Sequence, residues 1–386
     1  NTFDPQLRDR IICKLQCFWC QSILSVSGLL SCHSANVTFS MAAYGQKVSD
    51  VINSTFIGMS LSLSKDVGIL KTLLEASKPL TSHEIADTNE LKERYVREIL
   101  DCLSTAEVFH ASKSEAGDLV YHLEDDEKKM FNGPLIAFAS FPGILTTLYD
   151  QVKSCLPKAG PSGARYSSAC HDCMEEFSVQ NLDTYVEKII EFVDGLKEKL
   201  ESGIEVIEFG CGRGRLMARF AQMFPKSNFT ASDNVPLLLE QLKGNLGHIP
   251  NIKYEIYDLC SLPNTPAKKY DWIYCVDVIH DLPNPLEALK GIRRLVNESS
   301  GIFTMIDMAT SGSPIEDRGN LNVACLYAAS TFLCIPESFQ REDSHALGAC
   351  WGKPTAVKLS NTAGFNVTVK DIEGNMAIFI CHPFQQ

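Results

Sequence analysis

The spacing of apolar residues changes period along this chain. Between 47 and 76 they recur at helical spacing, closing on Val67, Ile69, Leu70, Leu73 and Leu74 before Lys78-Pro79. Thr81-Ser-His-Glu84 has the reciprocal partners of a capping box and opens a short helix through Ile85 and Ala86. After the polar Asp87-Thr-Asn89, a longer helix is predicted over 90–104, with Leu91, Tyr95, Ile99 and Leu103 inward. Two β-like runs follow, 107–111 and 118–123, joined by a polar turn at 112–117. From 131 to 178 no period holds, and Gly133-Pro134, Pro142-Gly143 and the run Pro157-Lys-Ala-Gly-Pro-Ser-Gly163 interrupt the chain.

An amphipathic helix is predicted over 181–202, and strands and helices then alternate. The strands are 206–209, 229–232, 252–257, 272–276 and 301–307, with helices at 215–223, 236–247 and 285–297 between them. A helix near 354–363 and strands 366–372 and 376–381 close the chain. Alternation of this kind predicts a parallel sheet covered on both faces. The chain is therefore expected to be α/β, with helix-turn-helix and hairpin forming an N-terminal α-helical winged-helix domain. The boundaries read as 1–40 leader, 41–130 winged-helix and dimerisation domain, 131–180 connector and lid, and 181–386 nucleotide-binding domain.

The first of those strands runs into Val206-Ile-Glu-Phe-Gly-Cys-Gly-Arg-Gly-Arg215. A strand, a glycine-rich turn and a helix N-terminus make the crevice in which doubly wound sheets hold nucleotides. A dinucleotide fingerprint would require Gly or Ala at position 215, where this chain has Arg215, and no phosphate-loop G-K-[ST] is present. The E-x-G-x-G-x-G spacing instead resembles motif I of class I S-adenosylmethionine-dependent methyltransferases. Acidic residues then close the next strands in phase. Asp233 is suited to accept from ribose hydroxyls and Asp258 from an adenine amino group, while Glu208 could pair with an ammonium, directly or through water. The alternative for each is a helix cap or a solvated loop acid.

The fourth strand delivers Asp277-Val-Ile-His-Asp281. His280-Asp281 resembles the histidine-aspartate pair of plant small-molecule O-methyltransferases, in which the histidine is the general base. Together with Leu326-Tyr-Ala-Ala-Ser-Thr-Phe-Leu-Cys-Ile-Pro336 and Leu347-Gly-Ala-Cys-Trp-Gly352, it is similar to a bacterial and animal methyltransferase family with an N-terminal winged helix. The similarity extends over 47–382. It implies a Rossmann-like seven-stranded domain whose last strand pair brings in an antiparallel strand. It also implies S-adenosylmethionine as cofactor and methyl transfer as the reaction, while a pocket closed by its own lid favours a small-molecule acceptor. The residues implied for the cofactor are Glu208, Gly210, Cys211, Gly212, Asp233, Asn234, Asp258, Leu259 and Asp277. His280 is the expected base, and Asp281 either orients it or caps the next turn. Phe141, Tyr166, His171, Tyr327, Phe332 and Trp351 are the expected walls of the acceptor pocket. Oxygen, nitrogen and sulfur acceptors are not distinguished by these residues.

Charge narrows the alternatives. The chain has 386 residues and a net charge of -12, which opposes general affinity for nucleic acid or anionic membrane. The expected recognition helix carries Lys92, Arg94 and Arg97, but also Glu90, Glu93, Glu98 and Asp101, whereas phosphate contact needs an uncompensated basic face. Dimerisation is thus expected of this domain, with a cofactor-binding transcription regulator as the alternative. Fifteen cysteines, an odd number and several within apolar strands, fit a reducing cytoplasm. Residues 1–40 read as a leader ahead of a natural start at Met41, and their apolar run is too polar for a confident membrane span. Cys13, Cys17 and Cys20 share a helical face, but no second ligand pair follows. Cys170-His-Asp-Cys173 has no preceding strand and reads as part of a helical lid. No metal is expected.

Overall fold

A computed structural model describes residues 35–133, 135–166, 168–339, 341 and 343–384. The expected cysteine face at 13–20 and most of the expected leader lie outside these residues. The chain divides into two compact units, up to Ser60 and from Leu61 onward. The described part of the first is the opening stretch of a helix, Ala35–Asp66. Met41, Tyr44, Val48, Val51, Ile52, Phe56 and Met59 are all exposed along it.

The second unit begins with the winged helix. Val67-Gly68 breaks the expected 47–76 helix, because Gly68 takes a left-handed conformation (φ 87°) before the helix Ile69–Glu75. Strand β1 (Leu80–Thr81) leads into the helix Ser82–Thr88, whose capping box is formed as expected. The Glu84 amide donates to Thr81 Oγ1 (3.2 Å), and the Thr81 amide donates to Glu84 Oε2 (2.7 Å). The next helix starts at Glu93 rather than 90, because Glu90 is left-handed (φ 54°) and ends the turn. Its inward stripe shifts accordingly to Val96, Leu100 and Leu103, and Tyr95, expected inside, is 71% exposed. Strands β2 (His110–Lys113) and β3 (Leu119–His122) form the wing, with β1 pairing antiparallel to β3.

The large sheet contains β4 (Glu205–Phe209), β5 (Asn228–Asp233), β6 (Ile252–Ile256), β7 (Trp272–Val276), β8 (Ile302–Met308), β9 (Phe365–Ile372) and β10 (Met376–Pro383). Their order is β6-β5-β4-β7-β8-β10-β9, with β10 antiparallel to both neighbours, as expected. Alternate residues face opposite sides. Val206, Phe229, Trp272 and Tyr274 pack beneath the helices Ser168–Phe192 and Arg215–Met223. Ile207, Phe209, Ile273 and Phe303 pack against Pro285–Leu295 and Lys353–Thr362.

Two stretches depart from expectation. The 131–178 connector is largely helical, with Phe141–Cys155 and the start of Ser168–Phe192 within it. Leu148 and Val152 from the first, Cys170 from the second, and Leu333 and Cys334 beyond them make a separate small core. The predicted 181–202 helix is two helices, Ser168–Phe192 and Leu196–Ser202, because Gly195 turns left-handed (φ 72°) between them. Among the described residues no single helix is long and apolar enough to cross a membrane.

Candidate active site

The carboxyl ends of β4, β5, β6 and β7 open on one cavity of about 640 Å³, also lined by Tyr166, His171, Glu175, Leu182 and Tyr185. The glycine turn after β4 forms its floor. Gly210 has φ 65°, and a Cβ there would lie 2.5 Å from Val278 Cγ2, so only glycine fits between the turn and the loop after β7. Gly212 has φ 51° and nothing within 4 Å of an added Cβ, so its bare face looks into open space. The turn is tied to β5 from within. The Cys211 amide donates to the Ser232 carbonyl (3.0 Å), and the Gly212 amide to Asp233 Oδ2 (3.1 Å).

Each strand-end acid has its own environment. Glu208 is buried, accepts from the Tyr274 hydroxyl at 3.1 Å, and burial lifts its carboxyl to about 8. Asp233 is raised as well, again by burial, although it also accepts from the Val235 amide at 2.9 Å. Asp258 faces the cavity while its two oxygens take the Cys260 amide (2.8 Å) and the Ser261 hydroxyl (3.1 Å), so it is also the cap of a short 3-10 turn. Asp277 is left-handed (φ 55°), its pKa is raised by burial, and its Oδ1 is buried without a hydrogen-bond partner. The Tyr185 hydroxyl, on the same cavity wall, is likewise buried and unpaired. Burial without a partner is costly for such groups, and sites of this kind are commonly completed by a ligand.

Beside this wall lies His280, only 3% exposed. Its Nδ1 meets both oxygens of Asp307, at 2.9 and 3.1 Å. Asp307 Oδ1 also accepts from Trp351 Nε1 (3.0 Å) and its own neighbour's amide, Met308 (2.8 Å). The other ring nitrogen, Nε2, lies 3.2 Å from Asp281 Oδ1, a contact off the line of a hydrogen bond, since that oxygen is left without a hydrogen-bond partner. Asp281 Oδ2 accepts from the Tyr166 hydroxyl at 2.5 Å. Burial works to lower the His280 pKa, but Asp307 and Asp281 outweigh it and hold the ring charged well above the ordinary histidine range.

The cavity gathers every expected cofactor residue: Glu208, Gly210, Cys211, Gly212, Asp233, Asn234, Asp258, Leu259 and Asp277. Asp281, Tyr166 and His171 line it too, and Tyr166 and His171 meet edge-to-face with centroids 5.9 Å apart. His280 itself does not line it and stands behind Asp281. Four expected acceptor contacts lie outside the cavity lining. Phe141 and Phe332 fill the small core between Phe141–Cys155 and Leu321–Phe332. Tyr327 is on the second of those helices and away from the cavity lining. Trp351 is turned inward to satisfy Asp307. Residues not singled out from sequence complete the site: Asp307, Tyr185, and the acids Asp172 and Glu175, which pair with Arg213 and Arg215 of the glycine turn. Asp307 had a legible signal, since it sits at the carboxyl end of the fifth predicted strand.

Residues 206–299 match the family described as methyltransferase domain, and residues 55–131 match the Rv2258c-like winged HTH domain. Malonyl-[acyl-carrier protein] O-methyltransferase 1 of Ilyobacter polytropus is 32% identical over 88 residues, 23% of this chain. The chain spans 31% of that relative's length. Human N-acetylserotonin methyltransferase, solved with S-adenosylmethionine, superposes with a TM-score of 0.65 over 92% of this chain and 99% of its own, at 16% identity. Mitomycin 7-O-methyltransferase gives 0.64 over 90% of this chain and 99% of its own, also at 16% identity. At such identity the likeness is one of fold. The sheet order, the glycine turn and the two matched domains define the class I methyltransferase fold. Residues 206–299 are thus similar to a methyltransferase domain and residues 55–131 to a winged HTH domain.

Proposed function

We propose that this protein transfers a methyl group from S-adenosylmethionine to an oxygen, sulfur or nitrogen atom of a small molecule bound in the 640 Å³ cavity. The observation that carries the reading is the convergence of Glu208, Asp233, Asp258 and Asp277 with the open face of Gly212 on that one cavity. These residues fit the cofactor. A buried carboxyl at Glu208 suits its ammonium, and Asp233 with Asn234 suits the ribose hydroxyls. Asp258 and Leu259 suit the adenine, and the unpaired Asp277 Oδ1 suits the positive sulfur. When bound, S-adenosylmethionine supplies an already activated methyl group on its sulfonium.

The protein's share is then alignment and proton management. His280 is the general base of this reading. Asp307 fixes the ring through Nδ1 and leaves Nε2 directed at Asp281, whose carboxylate reaches the cavity wall. To act as base the ring, charged in the ligand-free protein, must first release its Nε2 proton; it then takes the acceptor's proton at that atom, while Asp281, pinned by Tyr166, sets the approach. Tyr166 and His171 are the acceptor contacts supported by position.

The same reading makes the protein a cytoplasmic homodimer with no nucleic-acid or membrane partner. The exposed apolar residues from Met41 to Met59 support self-association. On the winged helix, Arg94 pairs with Glu98 and Arg97 with Glu93, which disfavours a DNA-binding regulator. Calorimetric titration of the full chain with S-adenosylmethionine, S-adenosylhomocysteine and NAD tests the core of the proposal. Micromolar binding of both sulfur nucleosides without NAD is expected, and silence towards both would overturn it.

A further inference from the structure

We infer that His280 Nε2, Asp281 Oδ1 and Cys334 Sγ form a zinc-binding site at the His280 end of the cavity. One ligand atom from each of the three residues lies within 4.8 Å of the other two, and no ligand set of this kind is visible in the sequence, where Cys334 is 53 positions beyond Asp281. The donors are one imidazole, one carboxylate and one thiol, a mixture suited to Zn²⁺. Ligands at zinc–nitrogen and zinc–oxygen distances of about 2.0–2.2 Å in a tetrahedron stand roughly 3.3 Å apart. Nε2 and Oδ1 are already 3.2 Å apart.

The surrounding hydrogen bonds point the same way. Each of two candidate ligands has its other heteroatom committed to a partner: His280 Nδ1 to Asp307, and Asp281 Oδ2 to the Tyr166 hydroxyl. Carboxylate-oriented histidines and hydrogen-bonded carboxylates are what hold first ligands in place around a metal. What remains is Nε2, the unpaired Oδ1 and the Cys334 sulfur, converging on one another. A second grouping, Asp277, His280 and Asp307, is less suited, because Asp307 is already engaged by the histidine ring, Trp351 and Met308.

Occupancy leaves the net charge of the cluster unchanged. Cys334 is buried and His280 almost wholly so, beside the carboxylates of Asp281 and Asp307. When Zn²⁺ binds, the Cys334 thiol and the His280 Nε2–H each release a proton to the buffer. Thiolate and Asp281 carboxylate then neutralise the ion, and Nδ1–H still faces Asp307. Three protein ligands leave a fourth position, and Asp281 on the cavity wall provides the entry route. One consequence rests on the base assignment above: zinc takes the Nε2 lone pair that proton abstraction requires, so metal occupancy and base catalysis exclude one another.

The site is tested on the full chain, stripped of metal and titrated with Zn²⁺ against a chromophoric chelator, and separately with Co²⁺. One ion per chain and a thiolate-to-cobalt charge-transfer absorption are expected. Cys334→Ser should lose that absorption and bind Zn²⁺ at least tenfold more weakly, and Asp281→Asn should weaken it similarly. Thermal unfolding of the metal-free variants checks that they fold. No binding that competes with the chelator, or equal zinc affinity in a folded Cys334→Ser, overturns the proposal. Titration of the metal-free chain with S-adenosylhomocysteine reports on the methyltransferase reading independently, so one can fail without the other.

Discussion

His280 and Asp307 are joined across two strand ends, with Nδ1 2.9 Å from Oδ1, and both are almost wholly buried. The pair is the pivot of the site, since Asp307 also holds Trp351 and His280 faces Asp281. Removing one partner of a buried pair leaves an uncompensated charge, which typically costs about 3–5 kcal/mol. Asp307→Ala additionally strands the Trp351 indole N–H. Chemical denaturation should therefore show a loss of about 3–5 kcal/mol with little change in the dependence on denaturant. A loss below about 1 kcal/mol would mean that the pair contributes little to stability.

Glu208 makes the proton inventory of cofactor binding measurable. With its carboxyl lifted to about 8, it is mostly protonated at pH 7 before binding. An ammonium placed against it favours the ionised form and lowers that pKa. Binding of S-adenosylhomocysteine at pH 7 is then expected to release a proton, read as a binding enthalpy that varies with the ionisation enthalpy of the buffer. Glu208→Gln should remove that variation. The same shift has a stability consequence. The folded chain holds the Glu208 proton more tightly than the unfolded chain, so this contribution is full below about pH 4.5. It is lost as pH rises through about 8. Melting temperatures of the ligand-free protein across that window should fall with pH, and less steeply in Glu208→Gln; equal slopes would exclude the assignment.

The fold was legible in sequence wherever local pattern and tertiary packing agree. The large sheet and the capping box at Thr81–Glu84 formed where expected because alternation and capping are local signals. The helix after Asn89 was placed three residues early because nothing in the apolar pattern reveals that Glu90 is left-handed, and one such residue rotates the buried stripe from Tyr95 to Val96. The strand-end acids of the site were legible because the sheet itself collects its strand ends. Trp351, Phe141 and Phe332 were misplaced because an aromatic residue's type does not say which side of its element faces a cavity. Cys334 was invisible as a ligand, since the chain joins it to His280 only through folding.

Gly210 and Gly212 should separate stability from binding. A Cβ on Gly210 would overlap Val278 at 2.5 Å and sit at φ 65°, so Gly210→Ala is expected to cost about 2–3 kcal/mol. At Gly212 only the left-handed strain applies, about 1 kcal/mol, because the added methyl meets nothing within 4 Å. That methyl would occupy the space assigned to the cofactor. Gly212→Ala should thus melt close to the parent protein yet bind S-adenosylhomocysteine at least tenfold more weakly. The opposite ranking, with Gly212→Ala the less stable of the two and unimpaired in binding, would contradict the placement of the cofactor against this turn.

The exposed residues of the first unit carry the last prediction. Met41, Tyr44, Val48, Val51, Ile52, Phe56 and Met59 recur at three- and four-residue steps along one helix, with Val51 and Ile52 adjacent, and every one is exposed in the single chain. Apolar exposure over that length favours association with a second apolar surface, and a second copy of the same helix is always present at the same concentration. Light scattering should therefore find a dimer. A charge at a buried interface centre is costly, so Phe56→Glu should weaken the dimer by about 30-fold, equivalent to roughly 2 kcal/mol. It should leave cofactor binding intact, because Phe56 is absent from the cavity lining. A parent protein that is monomeric at micromolar concentration would remove self-association as the role of this face. Dimers that persist unweakened in Phe56→Glu would instead move the interface to another surface.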